Sequence, residues 1–85
     1  MVSKIVIYTT PFCPYCLRAI KLLEAKGVSF TNIGIMGDAR LRREMEELSG
    51  NYTVPQIFIN DRLIGGSDDL MALEQTGELD KILGL

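Results

Sequence analysis

Between Lys4 and Leu23 the sequence changes its period, from the unbroken run KIVIYT to a helical spacing in PYCLRAIKLL, and the change falls beside both cysteines of the chain. Lys4 to Thr9 is rich in β-branched and aromatic residues without alternation, the pattern of a strand covered on both faces. Thr10-Pro11 stops it. From Pro14 onward Cys16, Ala19, Ile20 and Leu23 fall at i, i+3, i+4 and i+7, which predicts a helix with one apolar stripe, and Gly27 supplies its end. The pair Cys13-Pro14-Tyr15-Cys16 therefore sits where a strand hands over to a helix.

The remainder repeats this alternation. VSFTNIGI, Val28 to Ile35, reads as a second strand, and short links make strand, helix and strand a right-handed parallel unit. Gly37-Asp38 opens a second helix with Leu41, Met45 and Leu48 on its apolar face, and Gly50 ends it. QIFIN and RLIGG flank Asn60-Asp61 as a β-hairpin, closed by Gly65-Gly66. SDDLMALEQTG starts a third helix with Ser67 or Asp68 as cap, and ELDKILGL gives a short last one. Numbered along the chain, these strands predict an α/β domain over residues 1–85: a four-stranded mixed sheet in the order β2-β1-β3-β4, with helices on both faces. There is no repeat, linker or low-complexity segment.

At 85 residues the chain suits one domain, given that ~100–200 residues is the usual size. A hydrophobic share of 47% fits a globular protein, and a net charge of −2 argues against a nucleic-acid surface. MVSKIVIY is not a basic segment leading into a long apolar run, and no stretch approaches the ~20 apolar residues of a membrane span. A cytoplasmic location is expected, with no membrane partner. Structural disulfides are uncommon there, so a close cysteine pair points to catalysis or metal binding.

A structural zinc site takes four ligands, and a chain with two cysteines and no histidine cannot supply them from cysteine and histidine. As a reaction centre the pair makes physical sense. Pro14 suits the first helical position, where its missing N–H costs nothing, and this makes Cys13 the cap. The Cys13 sulfur then faces the free amides of Tyr15 and Cys16, which together with the positive helix end favour the thiolate. Cys16 lies in line with the core stripe and should be more buried and less ionised. The spacing assigns attack to Cys13 and resolution to Cys16. A mere staple is the weaker reading, because so short a loop constrains the unfolded chain little.

CPYC at Cys13 to Cys16, TVPQIFI at Thr53 to Ile59 and GGSDDL at Gly65 to Leu70, in this order and spacing, give the chain a likeness over nearly its whole length. It resembles the small dithiol glutaredoxins, in particular bacterial ones of about this size. The resemblance implies a thioredoxin-like fold and a glutathione-dependent thiol–disulfide oxidoreductase acting on protein disulfides and protein–glutathione mixed disulfides. It implies no bound cofactor, glutathione as reducing co-substrate, and a monomer. Tyr15 becomes a wall beside glutathione. Thr53, Val54 and a cis Pro55 form a turn whose Val54 backbone pairs with the cysteinyl unit. The amides of Ser67 and Asp68 take the α-carboxylate of the γ-glutamyl end, the Asp68 carboxylate takes its α-amino group, and Gly65 and Gly66 allow close approach. Asp69 is read mainly as a helix cap.

Thr10 stands where many relatives have a lysine, and Ser67 where some have a further cysteine. Arg40, Arg42 and Arg43 each precede a glutamate by four residues (Glu44, Glu46, Glu47), which reads as surface ion pairs, with Arg43 a candidate for the glycyl carboxylate of glutathione. Two other functions remain compatible with the cysteines: a thioredoxin-like donor reduced by a flavoprotein, and a homodimer holding a [2Fe–2S] cluster through Cys13 and two glutathiones. The rigid Pro14 counts against the second.

Overall fold

The computed structural model describes residues 3–85; Met1 and Val2, which the expected 1–85 domain includes, lie outside them. The elements are β1 (Ile5–Thr9), α1 (Pro14–Ala25), β2 (Thr31–Gly34), α2 (Ala39–Ser49), β3 (Gln56–Ile59), β4 (Arg62–Gly65), α3 (Ser67–Thr76) and α4 (Glu78–Leu83). They form one four-stranded sheet in the expected order β2-β1-β3-β4. β1 runs parallel to β2 and antiparallel to β3, and β3 is antiparallel to β4.

The unbroken apolar runs have the predicted cause. One face of the sheet presents Ile5, Ile7, Ile57 and Ile59 to Ala19 and Leu23 of α1, Leu70 of α3, and Leu79 and Leu83 of α4. The other presents Tyr8 and Phe58 to Met45 of α2 and to Ile35. Tyr8 and Phe58 meet edge to face with centroids 5.9 Å apart, a favoured aromatic geometry. The Tyr8 hydroxyl donates to Glu44 at 3.1 Å, tying α2 to the sheet.

The second strand is shorter than its apolar composition suggests. It spans Thr31–Gly34 rather than Val28 to Ile35, because Val28 and Phe30 pack against the first core cluster before the chain enters the ladder with β1. α2 also departs from expectation. Its Leu48 is exposed, and among the described residues none of Arg40, Arg42 and Arg43 pairs with a carboxylate. An arginine N-terminal to its glutamate is the weaker orientation for such pairs, and Glu44 is drawn to Tyr8 instead.

The hairpin turn follows its sequence: Asn60 and Asp61 take φ of 52° and 63°, as a two-residue primed turn demands. At α3 the cap is Gly66, not Ser67 or Asp68. Ser67 is already helical, and Asp69 accepts a hydrogen bond from the Gly66 amide at 2.9 Å, the reach-back expected of an acidic residue three positions into a helix. Lys26, just beyond α1, lies 2.6 Å from Glu74 of α3 and 2.7 Å from Asp80 of α4, joining three helices beneath the sheet. No helix among the described residues is long and apolar enough to cross a membrane.

Candidate active site

Cys13 caps α1 in extended conformation, with Pro14 opening the helix. Of the two amides expected at its sulfur, that of Cys16 makes the bond, donating to Cys13 Sγ at 3.2 Å. Both cysteines are free thiols. Cys13 is half-buried, whereas Cys16 is 2% exposed and points into the fold with Ala19 and Leu23. Burial pushes the Cys16 thiol up to about 12, helped by its contact with Cys13 and opposed by a hydrogen bond from the Thr10 backbone. At neutral pH Cys16 thus holds its proton, and Cys13 is the accessible sulfur.

That shift has a consequence for stability. Unfolding returns Cys16 to an ordinary value of 9.0, so at higher pH the unfolded chain releases a proton that the folded chain keeps, and stability falls. Tyr8 is held above its usual value by burial and by Glu44, and Lys26 by hydrogen bonds to Asp80 and Glu74. Raised values all lose their stabilising effect on the alkaline side, so the three act in one direction. Urea midpoints should fall between about pH 8 and about pH 10.5, and fall less in Cys16→Ala. An equal fall in that variant removes Cys16 from the account.

Beside the dithiol a groove of about 340 Å³ is lined by Tyr15, Asn51, Thr53, Gln56 and the first turn of α3 with its cap, Gly66 to Asp69. Tyr15, Thr53, Gly66, Ser67 and Asp68, named from sequence, come together here. Asp68 is exposed, while the Ser67 hydroxyl is buried and has no hydrogen-bond partner. The Val54–Pro55 bond is cis. Val54 packs on the second core cluster and Pro55 lies behind Gly66, so neither side chain lines the groove. Arg43 does not line it either.

Asn51 and Gln56 are lining residues that the motifs did not single out. Gln56 is 2% exposed; its Nε2 donates to the Thr53 carbonyl at 3.0 Å and its Oε1 accepts from Asn51 at 3.4 Å. The Asn51 amide in turn donates to Ser49 Oγ at 3.0 Å, at the end of α2. This relay fixes the turn before β3. The signal in the sequence was a glutamine opening an otherwise apolar strand, a polar group whose burial requires partners. Gly65 also serves the cap: at φ 116° a Cβ there would collide with the Asp69 carboxylate.

Comparison with known proteins gives one answer. The family model described as Glutaredoxin matches residues 5–64. The chain is 52% identical over 79 residues to a glutaredoxin of Pseudomonas aeruginosa, covering 93% of this chain and 94% of that protein. It is 53% identical over 81 residues to glutaredoxin 3 of Escherichia coli K12, covering 95% and 98%. Among solved structures, the glutaredoxin from Brucella melitensis superposes with a TM-score of 0.84 at 52% identity, over 98% of this chain and 89% of that one. A buckwheat glutaredoxin–glutathione complex gives 0.88 at 27% identity, over 96% and 77%.

Proposed function

From the premise that the chain belongs to the glutaredoxin family and is a thiol–disulfide oxidoreductase, we propose that it draws its electrons from glutathione, bound in the polar groove beside Cys13. The observation that carries this reading is the start of α3: a buried Ser67 hydroxyl without a partner, in a groove that also holds the exposed Asp68 carboxylate. A peptide with an α-carboxylate and an ammonium group at one end supplies an acceptor for the helix-start donors and a donor for Asp68. Tyr15 forms one wall, Thr53 and the adjoining Val54 backbone another.

In this mechanism the Cys13 thiolate attacks the glutathione sulfur of a protein–glutathione mixed disulfide, and the protein thiolate leaves and takes up a proton. Free glutathione then attacks the Cys13–glutathione bond, releasing glutathione disulfide and restoring Cys13. With a protein disulfide, Cys13 forms a bond to one protein sulfur and frees the other. Cys16 loses its proton, attacks Cys13 and releases the second protein thiol, leaving a Cys13–Cys16 disulfide that two glutathiones reduce. Once Cys13 is in a disulfide, its hydrogen-bond and charge contributions to holding the Cys16 proton disappear and burial remains, so Cys16 ionises more readily at the moment it must attack.

Turnover coupled to NADPH through glutathione and glutathione reductase tests the reading against turnover through thioredoxin reductase alone; activity only with the latter overturns it. Asp68→Ala should raise the KM for glutathione about tenfold, the scale of a lost charge-assisted hydrogen bond. Its melting temperature should stay close to wild type, because Asp69, not Asp68, holds the cap. An unchanged KM removes Asp68 from the site.

A further inference from the structure

A second groove of about 340 Å³ reaches the dithiol at Cys16; Pro11, Phe12, Leu17 and Ile20 give it an apolar part, the uncharged Thr9, Thr10, Asn32 and Gly34 complete it, and no charged residue borders it. Its rim is costly to build. Phe12 precedes the nucleophile with its side chain 95% exposed and its backbone at φ 62°, a conformation strongly disfavoured for a bulky residue. Leu17, one position beyond Cys16, is 53% exposed. Neither residue belongs to the two core clusters, so packing of the fold does not account for them.

We propose that this groove is the docking site for the polypeptide of a disulfide substrate, taking an apolar side chain next to the target cysteine, with Phe12 and Leu17 as its anchors. The proposal rests on the glutathione reading above and extends it to the protein substrate. Glutathione itself suits the groove poorly, because its charged ends find no charged partner there, whereas the polar groove at α3 offers one. A protein disulfide must also bring one sulfur to Cys13, and the chain flanking that sulfur has to cross the surface around it. The groove shares Cys16 with the reaction centre, so a residue seated against its apolar part holds the substrate through both exchange steps. The reaction is balanced by the dithiol alone: a peptide disulfide becomes a peptide dithiol as Cys13 and Cys16 become a disulfide.

The test uses the double variant Phe12→Asn, Leu17→Gln. Asparagine tolerates the left-handed backbone and glutamine is a good helix former, so the local structure is kept while the apolar anchors are removed. Three substrates are compared: a synthetic peptide with an internal disulfide and leucine beside one cysteine, the same peptide with serine there, and the mixed disulfide of glutathione with 2-mercaptoethanol. Wild type should prefer the leucine peptide, and the variant should lose about tenfold in kcat/KM on it, the scale of a modest apolar pocket. The variant should stay within about twofold of wild type on the glutathione mixed disulfide. Equal loss on all three substrates, or no loss on the leucine peptide, overturns the proposal. Single-turnover reduction of the peptides by the pre-reduced dithiol needs no glutathione, so a failure of the glutathione reading shows in the third substrate and leaves the peptide comparison intact.

Discussion

Replacing Cys13 by serine should abolish reduction of every disulfide substrate, whereas replacing Cys16 should abolish only part of it. The hydroxyl of Cys13→Ser does not ionise at neutral pH, so the loss should reach about 10⁴-fold or more, the scale seen when an enzyme loses its nucleophile. Cys16→Ser leaves Cys13 in place at the helix start with the Cys16 backbone N–H that donates to its sulfur, because that bond is made by the main chain. Reduction of glutathione mixed disulfides should then stay within about threefold of wild type, since glutathione resolves the intermediate from solution. Reduction of an internal protein disulfide should fall about a hundredfold, because an adjoining thiol is replaced by one that must diffuse in. Both substrates with both variants, assayed by NADPH consumption through glutathione reductase, decide the matter. Equal loss of deglutathionylation in the two variants would falsify the stepwise mechanism.

Gly65→Ala is expected to damage stability and the groove proposed for glutathione together. β3 and β4 lose regular register between Ile57 and Phe58, and Gly65 pairs with Ile57 at this irregularity in a conformation, φ 116°, that side chains rarely adopt. A methyl there meets the Asp69 carboxylate, which must move and release the Gly66 amide it holds at 2.9 Å. Backbone strain of about 1–3 kcal/mol and a lost cap of about 0.5–2 kcal/mol act at one place. Because about 1 kcal/mol corresponds to roughly 4–8 °C in a domain of this size, melting should drop by about 10 °C or more. The KM for glutathione should rise as well, since Gly66, Ser67 and Asp68 move with the cap. A Gly65→Ala protein that melts like wild type shows that the turn relaxes without cost. Normal glutathione use in a destabilised variant separates the cap from the groove.

What could be read from the sequence follows from short-range rules. Apolar runs and helical spacing gave every element and the strand order, and the primed turn at Asn60-Asp61 was visible in its residue types. Pro14 after Cys13 announced the capping cysteine, because a residue without an N–H belongs at the first helical position. The position of Cys16 on the stripe with Ala19 and Leu23 announced its burial, and hence the proton it keeps.

The features missed are those in which one side chain had several local partners to choose from. The glutamates of α2 could pair with arginines one turn away, yet Glu44 bonds to Tyr8 across the interface with β1. Asp69 caps α3 as its type indicated, but Ser67 and Asp68 read as caps too; the turn at Gly65 leaves the Ser67 hydroxyl without a bond and the Asp68 carboxylate at the surface. The buried relay from Ser49 through Asn51 and Gln56 to Thr53 exists only once α2 and β3 have been brought together. By itself the sequence determined the elements and the chemistry of the dithiol, which depend on residues a few positions apart, and the strand order through the rules for short connections. Tertiary structure decided which polar groups are satisfied and which are left open in a groove, because hydrogen-bond partners compete across distances in sequence that no local pattern encodes.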